Sequence, residues 1–139
     1  MKISEFTDDQ SDQVIALWEK CDLTRSWNNP EKDIVRKNVD QNGKFLIGQI
    51  DGVLMASIMI GYDGHRGSVN FLAVDPDYVG AGYGKILMAE AEQFLLSVGC
   101  PKINLRVRTD NAKVVKLYEQ LGYAIEPVDL LGKRLMKED

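Results

Sequence analysis

The sequence has few of the residues from which metal centres and histidine-dependent catalytic sites are built. Its 139 residues include two cysteines and one histidine. Cys21 and Cys100 belong to no C-x-x-C motif or Cys/His cluster, so a zinc site with the usual ligands is excluded. A Ser-His-Asp or Cys-His catalytic group would depend on His65, which stands in a glycine-flanked turn. We therefore expect no metal, and two reduced thiols that pack as small apolar groups.

Long apolar runs and blocks of one charge are also missing. The longest apolar stretch, residues 53–60, is too short to span a bilayer, and residues 1–6 mix charged and apolar side chains, unlike a secretory leader. The 17 basic and 21 acidic residues give a net charge of −4, which disfavours a phosphate backbone as the main partner. We expect a cytoplasmic protein that binds neither nucleic acid nor a membrane.

The remaining composition is that of a globular protein. Apolar residues make up 45% of the chain and charged residues 27%, both close to ordinary usage. A chain of this length corresponds to one domain and can bury roughly two thirds of its unfolded surface. We predict a single domain over residues 1–139.

The first half of the chain predicts two helices followed by three strands. A capping box at residues 7–10 precedes apolar residues at helical spacing, and Asn29-Pro30 is typical of a second helix start. Asp51-Gly52 is a preferred hairpin turn between two apolar runs. The predicted strands cover residues 45–50, 53–62 and 68–74.

The second half of the chain predicts a helix after a glycine-rich loop and then a strand at residues 103–107. A further helix is predicted from Asn111 to a C-cap at Gly122, followed by two closing strands at residues 123–128 and 130–136. A strand, a helix and a further strand form a crossover, so strands 68–74 and 103–107 should be parallel neighbours. The predicted fold class is therefore α+β with a mixed sheet.

The glycine-rich loop carries the clearest chemical signal. Gly80, Gly82 and Gly84 alternate directly before a helix, where backbone N–H groups and the positive end of the helix dipole bind an anion, most often a phosphate. The alternative is a tight connection that needs glycine only for its shape. A P-loop is excluded because Lys85 is followed by Ile86, and the G-x-G-x-G spacing does not match a dinucleotide fingerprint.

Three separated motifs resemble the acetyl-CoA signature of the GNAT superfamily of N-acetyltransferases. They are residues 72–87, Asn111 and residues 118–123. Outside them, residues 22–28, 61–67 and 131–135 are similar to the small bacterial YpeA-type acetyltransferases. The resemblance covers nearly the whole chain. It implies a mostly antiparallel sheet with one parallel strand pair splayed around acetyl-CoA and flanked by helices, and direct transfer of the acetyl group to an amine.

The resemblance also implies which residues bind the co-substrate. Residues 72–74 would pair with the pantetheine arm, residues 79–84 would hold the pyrophosphate, and Tyr118 would protonate the leaving thiolate. The implied acetyl-CoA contacts are Leu72, Ala73, Val74, Val79, Gly80, Ala81, Gly82, Tyr83, Gly84, Lys85, Asn111 and Tyr118. Asn111 is equally suited to cap a helix, and Tyr118 to pack in the core.

The chain departs from the family at two points. Val79 and Ala81 stand where relatives commonly carry arginine or glutamine, which predicts weaker CoA binding, and residues 70–74 lack the glutamate that often serves as general base. Asp63, His65 or a water chain are the candidate bases, although both residues are also suited to building a turn.

The acceptor is an amine-bearing small molecule, a peptide N-terminus or a protein lysine. The resemblance places Asp22, Arg25 and Trp27 on the acceptor side, while Trp27 could equally cover the core. A CoA- or acyl-CoA-binding module or regulatory partner without turnover is the alternative function. The apolar Val79 and Ala81 also leave a homodimer contact open.

Overall fold

The computed structural model describes residues 1–138, so Asp139, the last residue of the predicted domain, lies outside the described residues. The chain divides into two compact units, Met1–Asn104 together with Glu138, and Leu105–Lys137. In the first unit the elements are β1 (Lys2–Glu5), α1 (Ser11–Lys20), α2 (Pro30–Asn38), β2 (Lys44–Ile50), β3 (Val53–Tyr62), β4 (Gly67–Val74), α3 (Tyr83–Ser97) and β5 (Ile103–Asn104). The second unit contains α4 (Ala112–Gln120).

The first unit is built on a five-stranded sheet in the order β1-β2-β3-β4-β5. The first four strands are antiparallel, and β4 pairs with β5 in parallel at Gly67↔Ile103 and Ser68↔Asn104. The predicted α+β class, the three central strands and the parallel pair are therefore confirmed.

Helix starts were predicted correctly where a cap defines them. The Thr7 N–H donates to Gln10 Oε1 at 2.9 Å, which completes the capping box of a 3₁₀ turn, Asp8–Gln10, that leads directly into α1. The side chain of Asn29 accepts from the Lys32 N–H at 3.1 Å at the start of α2. Each of these interactions spans three residues, so the sequence alone contains both partners.

The strand predictions were wrong where the formation of a strand depends on a partner strand that is distant in the sequence. The short polar strand β1 was not predicted, because a four-residue edge strand carries little apolar alternation. The strand predicted at 103–107 is limited to Ile103–Asn104, and the two closing strands predicted at 123–128 and 130–136 are not formed. Alternating apolar residues favour a strand only where a neighbouring edge pairs with them, and here Leu131 remains 90% exposed.

The core covers both faces of the central strand. Strand β3 is buried from Leu54 to Ile60, with α1 and α3 packed on the sheet. Trp18 of α1 is fully buried, and its ring stacks on Phe71 with centroids 3.9 Å apart and on Phe45 at 6.2 Å. The α3 side contributes Leu87, Met88, Ala91 and Leu95.

Two kinds of feature are absent from residues 1–138. No helix there combines the length and the apolar composition needed to cross a bilayer. The same residues contain no group of three or more His, Cys, Asp or Glu side chains placed to hold a metal ion. Cys21 and Cys100 are free thiols.

The end of β4 is fixed by Asp75. Its N–H donates to Met55 O at 2.8 Å, and its carboxylate accepts from the Asp77 N–H at 2.9 Å and from Lys20 Nζ at 3.0 Å. One residue earlier, the Cys21 thiol donates to Val74 O at 3.3 Å. The backbone hydrogen bond from Asp77, together with Lys20, holds the pKa of the Asp75 carboxyl below its usual value. The last turn of α1 therefore anchors the point from which the glycine-rich loop departs.

Asp75→Asn should reduce the loss of stability at acidic pH. Because the folded-state pKa of Asp75 lies below its unfolded value of about 3.9, its contribution is present above that pH and is lost as pH falls through the folded pKa. Asparagine keeps the acceptor for Asp77 but not the charge. Urea unfolding at pH 6 and pH 3 should therefore show a smaller difference for Asp75→Asn than for the parent.

Asp77→Asn is the matched control, because Asp77 pairs with the same Lys20 at 3.1 Å while its side chain is 77% exposed. We expect this variant to keep the pH dependence of the parent. A parent-like difference in Asp75→Asn would contradict the assignment.

Candidate active site

Strand β4 contains a bulge next to the predicted pantetheine residues. Ser57 pairs with Ala73 and Met59 pairs with Asn70, so that Phe71 and Leu72 lie opposite the single residue Ile58. Phe71 takes a left-handed backbone conformation, with φ of +50°. An extra residue of this kind bends a strand and redirects the backbone groups that follow it. The backbone of residues 72–74 therefore runs in a different direction from that of the first half of β4.

Beyond the bulge, one edge of β4 has no strand partner within the first unit. Parallel pairing with β5 is limited to Gly67 and Ser68, whereas pairing with β3 continues to Val74. A free strand edge offers N–H and C=O groups to an extended ligand. The residues predicted to contact the pantetheine arm, Leu72, Ala73 and Val74, all belong to this part of β4.

The loop that follows β4 is shaped by two glycines. Gly80 and Gly82 have φ of +89° and +83°, a conformation in which other residues are strained. A Cβ at either position would meet no atom within 4 Å, so the backbone conformation, and not crowding, requires glycine. Val79 is 66% exposed and Ala81 is also exposed. The loop thus has open space on the side where a ligand would lie.

The N-terminus of α3 adds hydrogen-bond donors to this loop. Gly82 is the N-cap, and the Ile86 N–H donates to its carbonyl at 3.1 Å as the first bond of the helix. The N–H groups of Tyr83, Gly84 and Lys85 precede that bond, and helix geometry gives them no acceptor within the helix. No acidic residue lies in this first turn, and Lys85 is exposed there. Donors, helix dipole and open space together fit a pyrophosphate.

Asn111 lies in the second unit, at the N-cap position of α4. Its backbone serves the helix, because the Val115 N–H donates to Asn111 O at 3.2 Å, but its exposed side chain makes no capping hydrogen bond. The alternative in which this side chain acts only as a cap is therefore not realised.

Tyr118 also lies in the second unit, half-buried near the end of α4. Its ring meets Tyr123 edge to face, with centroids 5.7 Å apart, and the Tyr123 N–H donates to Tyr118 O at 3.0 Å. Gly122, with φ of +97°, ends the helix between them, as predicted. Burial raises the pKa of the Tyr118 phenol above its usual value. The side chain is therefore a neutral hydrogen-bond donor at pH 7.

Two of the predicted acceptor residues have local structural roles. Asp22 ends α1 in a left-handed conformation with φ of +57°, and the next N–H, of Leu23, donates to Trp18 O at 2.9 Å. Arg25 Nη1 donates to Asp22 O at 2.6 Å and to Thr24 O at 3.0 Å. Trp27, the third predicted acceptor residue, is 49% exposed. The sequence signal for Asp22 was its residue type, because aspartate tolerates this conformation better than most.

Asp63 forms a turn, which was the alternative to a general base in the sequence analysis. Its carboxylate accepts from the N–H groups of His65 at 2.8 Å and Arg66 at 2.7 Å. These hydrogen bonds lower the pKa of Asp63, which makes it a weak base. His65 is exposed at the tip of the same turn. Neither residue gains support as the general base.

One residue near the bulge was missed by the sequence analysis. Ser57 is fully buried in β3, where its hydroxyl donates to Phe71 O at 2.8 Å. The available signal was a single polar residue inside the apolar run 53–60.

Comparisons with known proteins agree with this architecture. The model of the acetyltransferase (GNAT) family matches residues 5–123. An acetyltransferase from Sodalis glossinidius is 48% identical over 139 residues, covering 99% of this chain and 98% of that protein. One from Yersinia pestis is 46% identical over 136 residues, covering 98% and 96%. The solved PaiA N-acetyltransferase of Thermoplasma acidophilum, in complex with coenzyme A, has a TM-score of 0.77 at 20% identity, covering 92% of both chains. This chain therefore belongs to the GNAT family of acetyltransferases, a group of acetyl-CoA-dependent acyltransferases.

Proposed function

We propose that this protein transfers the acetyl group of acetyl-CoA directly to an amine, without an acetylated enzyme. The observation that carries the proposal is the continuity, within one unit, of the free β4 edge and the glycine-rich loop. An extended arm that pairs with the strand edge would have its phosphates at the loop and the start of α3. This order matches a pantetheine chain attached to a pyrophosphate.

Each part of the co-substrate has proposed partners in this chain. Residues 72–74 pair along the pantetheine arm. The N–H groups of residues 79–84 hold the pyrophosphate, with Lys85 adding positive charge and Asn111 contacting the arm. That the similar PaiA protein was solved with coenzyme A supports this choice of ligand. Bound acetyl-CoA would supply an activated thioester, and all other steps fall to the side chains and backbone of the protein.

Tyr118 is proposed as the general acid. Its raised pKa keeps the phenol protonated at neutral pH, so the hydroxyl can donate a hydrogen bond, and as the C–S bond breaks a proton, to the leaving thiolate. A backbone N–H on the β4 edge is suited to stabilise negative charge on the acyl oxygen.

The acceptor must be a neutral amine at the moment of attack. A lysine-like amine with a pKa of about 10.4 costs roughly 4 kcal/mol to deprotonate at pH 7.4, whereas an α-amine near 7.8 costs well under 1 kcal/mol. Because Asp63 is held as a weak base by its turn, amines of lower pKa are favoured substrates. Small-molecule amines, peptide N-termini and protein lysines all belong in the substrate panel.

Tyr118→Phe should slow acetyl transfer without preventing co-substrate binding. Loss of a general acid typically costs about 10²–10⁴-fold in kcat, while the phenyl ring keeps the packing against Tyr123. Thiol release from acetyl-CoA is measured with the amine panel, and the Kd of CoA by calorimetry. The Kd should stay within about threefold of the parent.

Tyr123→Phe is the matched control, because it removes a hydroxyl from the neighbouring ring, and its rate should stay within about threefold of the parent. A Tyr118→Phe enzyme as fast as the parent removes the proposed acid. Strong CoA binding by the parent with no turnover on any amine would instead indicate a binding module.

Val79→Arg combined with Ala81→Arg should tighten CoA binding by about tenfold at low salt. Both side chains are exposed on the loop, and each added cation near a partly exposed pyrophosphate contributes about 0.7 kcal/mol after screening, so that the two together give about 1.4 kcal/mol, or about tenfold. The gain should shrink at high salt, because ions screen exposed charges. Calorimetric titration with CoA at two ionic strengths measures both effects.

Val35→Arg combined with Val39→Arg adds the same charge at two exposed valines of α2 and its C-cap. This control should change the affinity by no more than about threefold. Unchanged or weaker binding in the loop variant would show that residues 79 and 81 do not face the pyrophosphate.

A further inference from the structure

A buried hydroxyl lies in the central strand of the first unit, outside the glycine-rich loop. Ser57 is fully buried within a run of apolar residues in β3. A hydroxyl buried without hydrogen bonds is costly, so its partners show what the residue does. Its Oγ donates to Phe71 O at 2.8 Å and accepts from Trp18 Nε1 at 2.9 Å. Ser57 thus links α1 and β3 to the bulge of β4.

The bulge needs such support. A residue other than glycine in the left-handed region costs about 1–3 kcal/mol and persists only where its surroundings determine it. Phe71 is held at both ends: its ring stacks on Trp18 at 3.9 Å, and its carbonyl accepts from Ser57. The ring contact fixes the side chain, whereas the hydroxyl fixes the peptide bond that follows.

The orientation of that peptide bond has a consequence for Leu72. The described residues contain no cis peptide bond, and in a planar trans peptide the C=O and the following N–H point in opposite directions. Because Phe71 O is directed at the Ser57 side chain of β3, the N–H of Leu72 is directed away from that side chain. Beyond Ser68, the edge of β4 opposite β3 has no strand partner in the first unit.

We infer that Ser57 is a positioning residue for acetyl transfer: its hydroxyl fixes the Phe71–Leu72 peptide so that the Leu72 N–H is presented on the free edge of β4 to the acyl oxygen. This inference rests on the proposed function. A donor aimed in advance at developing charge costs no reorganisation during the reaction. A peptide free to rotate loses that benefit even when the co-substrate still binds.

Ser57→Ala removes the hydroxyl and tests the inference directly. We expect kcat for thiol release to fall by about tenfold or more, while the Kd of CoA stays within about threefold, because the loop and α3 are untouched. In ¹⁵N-labelled protein without acetyl-CoA, the Leu72 amide resonance should shift.

Ser97→Ala is the matched control. It also removes a serine hydroxyl that donates to a backbone carbonyl, that of Phe94 in α3, and it leaves Ser57 and Phe71 unchanged. We expect kcat within about threefold of the parent. Ser57→Thr keeps the hydroxyl and should recover most of the rate, which separates the hydroxyl from general packing.

Two results would overturn the inference. One is a Ser57→Ala enzyme within about threefold of the parent rate, and the other is a Ser97→Ala enzyme slowed as much as Ser57→Ala. If the parent itself releases no thiol with any amine, the proposed function fails. The Leu72 resonance still decides the geometric part in that case, since an unshifted resonance in Ser57→Ala contradicts the orientation.

Discussion

The β-bulge at Phe71 and Leu72 is the constraint on which the rest of the site depends. At Gly67 and Ser68, β4 is paired on both edges; after the bulge, only the edge toward β3 is paired within the first unit. The bulge is held by packing and one hydroxyl, since phenylalanine does not favour a φ of +50° by itself. The strained residue lies where backbone groups are freed for a ligand, which is where strain is usually found in enzymes.

Helix α1 holds β4 at two separate points. Trp18 supports the bulge through Ser57 and by stacking on Phe71, while Lys20 and Cys21, within the next turn, bind Asp75 and Val74 at the end of the strand. The glycine-rich loop therefore leaves a strand that is fixed just before its departure. The proposed binding of the pyrophosphate by backbone N–H groups requires this rigidity, because the loop has few side-chain charges with which to attract the ligand. Neutral side chains at Val79 and Ala81 are compatible with that arrangement, since neither removes an N–H.

Most of what the sequence determined acts over a few residues. The capping box at Thr7 and Gln10, the Asn29 cap, the Gly122 helix end and the left-handed glycines of the loop were all predictable, because the interacting groups are separated by at most five residues. The central hairpin followed from Asp51-Gly52 and two apolar runs. The loop glycines and Gly122 also lie in motifs of the GNAT family, so membership of the family could be predicted from the sequence as well.

Tertiary structure decided what depends on distant partners. The edge strand β1, the short β5 and the unformed closing strands depend on which edges meet, which apolar alternation does not specify. Asp22 and Arg25, predicted on the acceptor side, also take part in the turn that ends α1, which their residue types alone did not specify. Ser57 is one polar residue in an apolar strand until Trp18, 39 positions away, and Phe71, 14 positions away, enclose its hydroxyl. The reason is physical: a buried hydroxyl must be hydrogen-bonded, but only the packing of α1 and β4 against β3 determines with which groups.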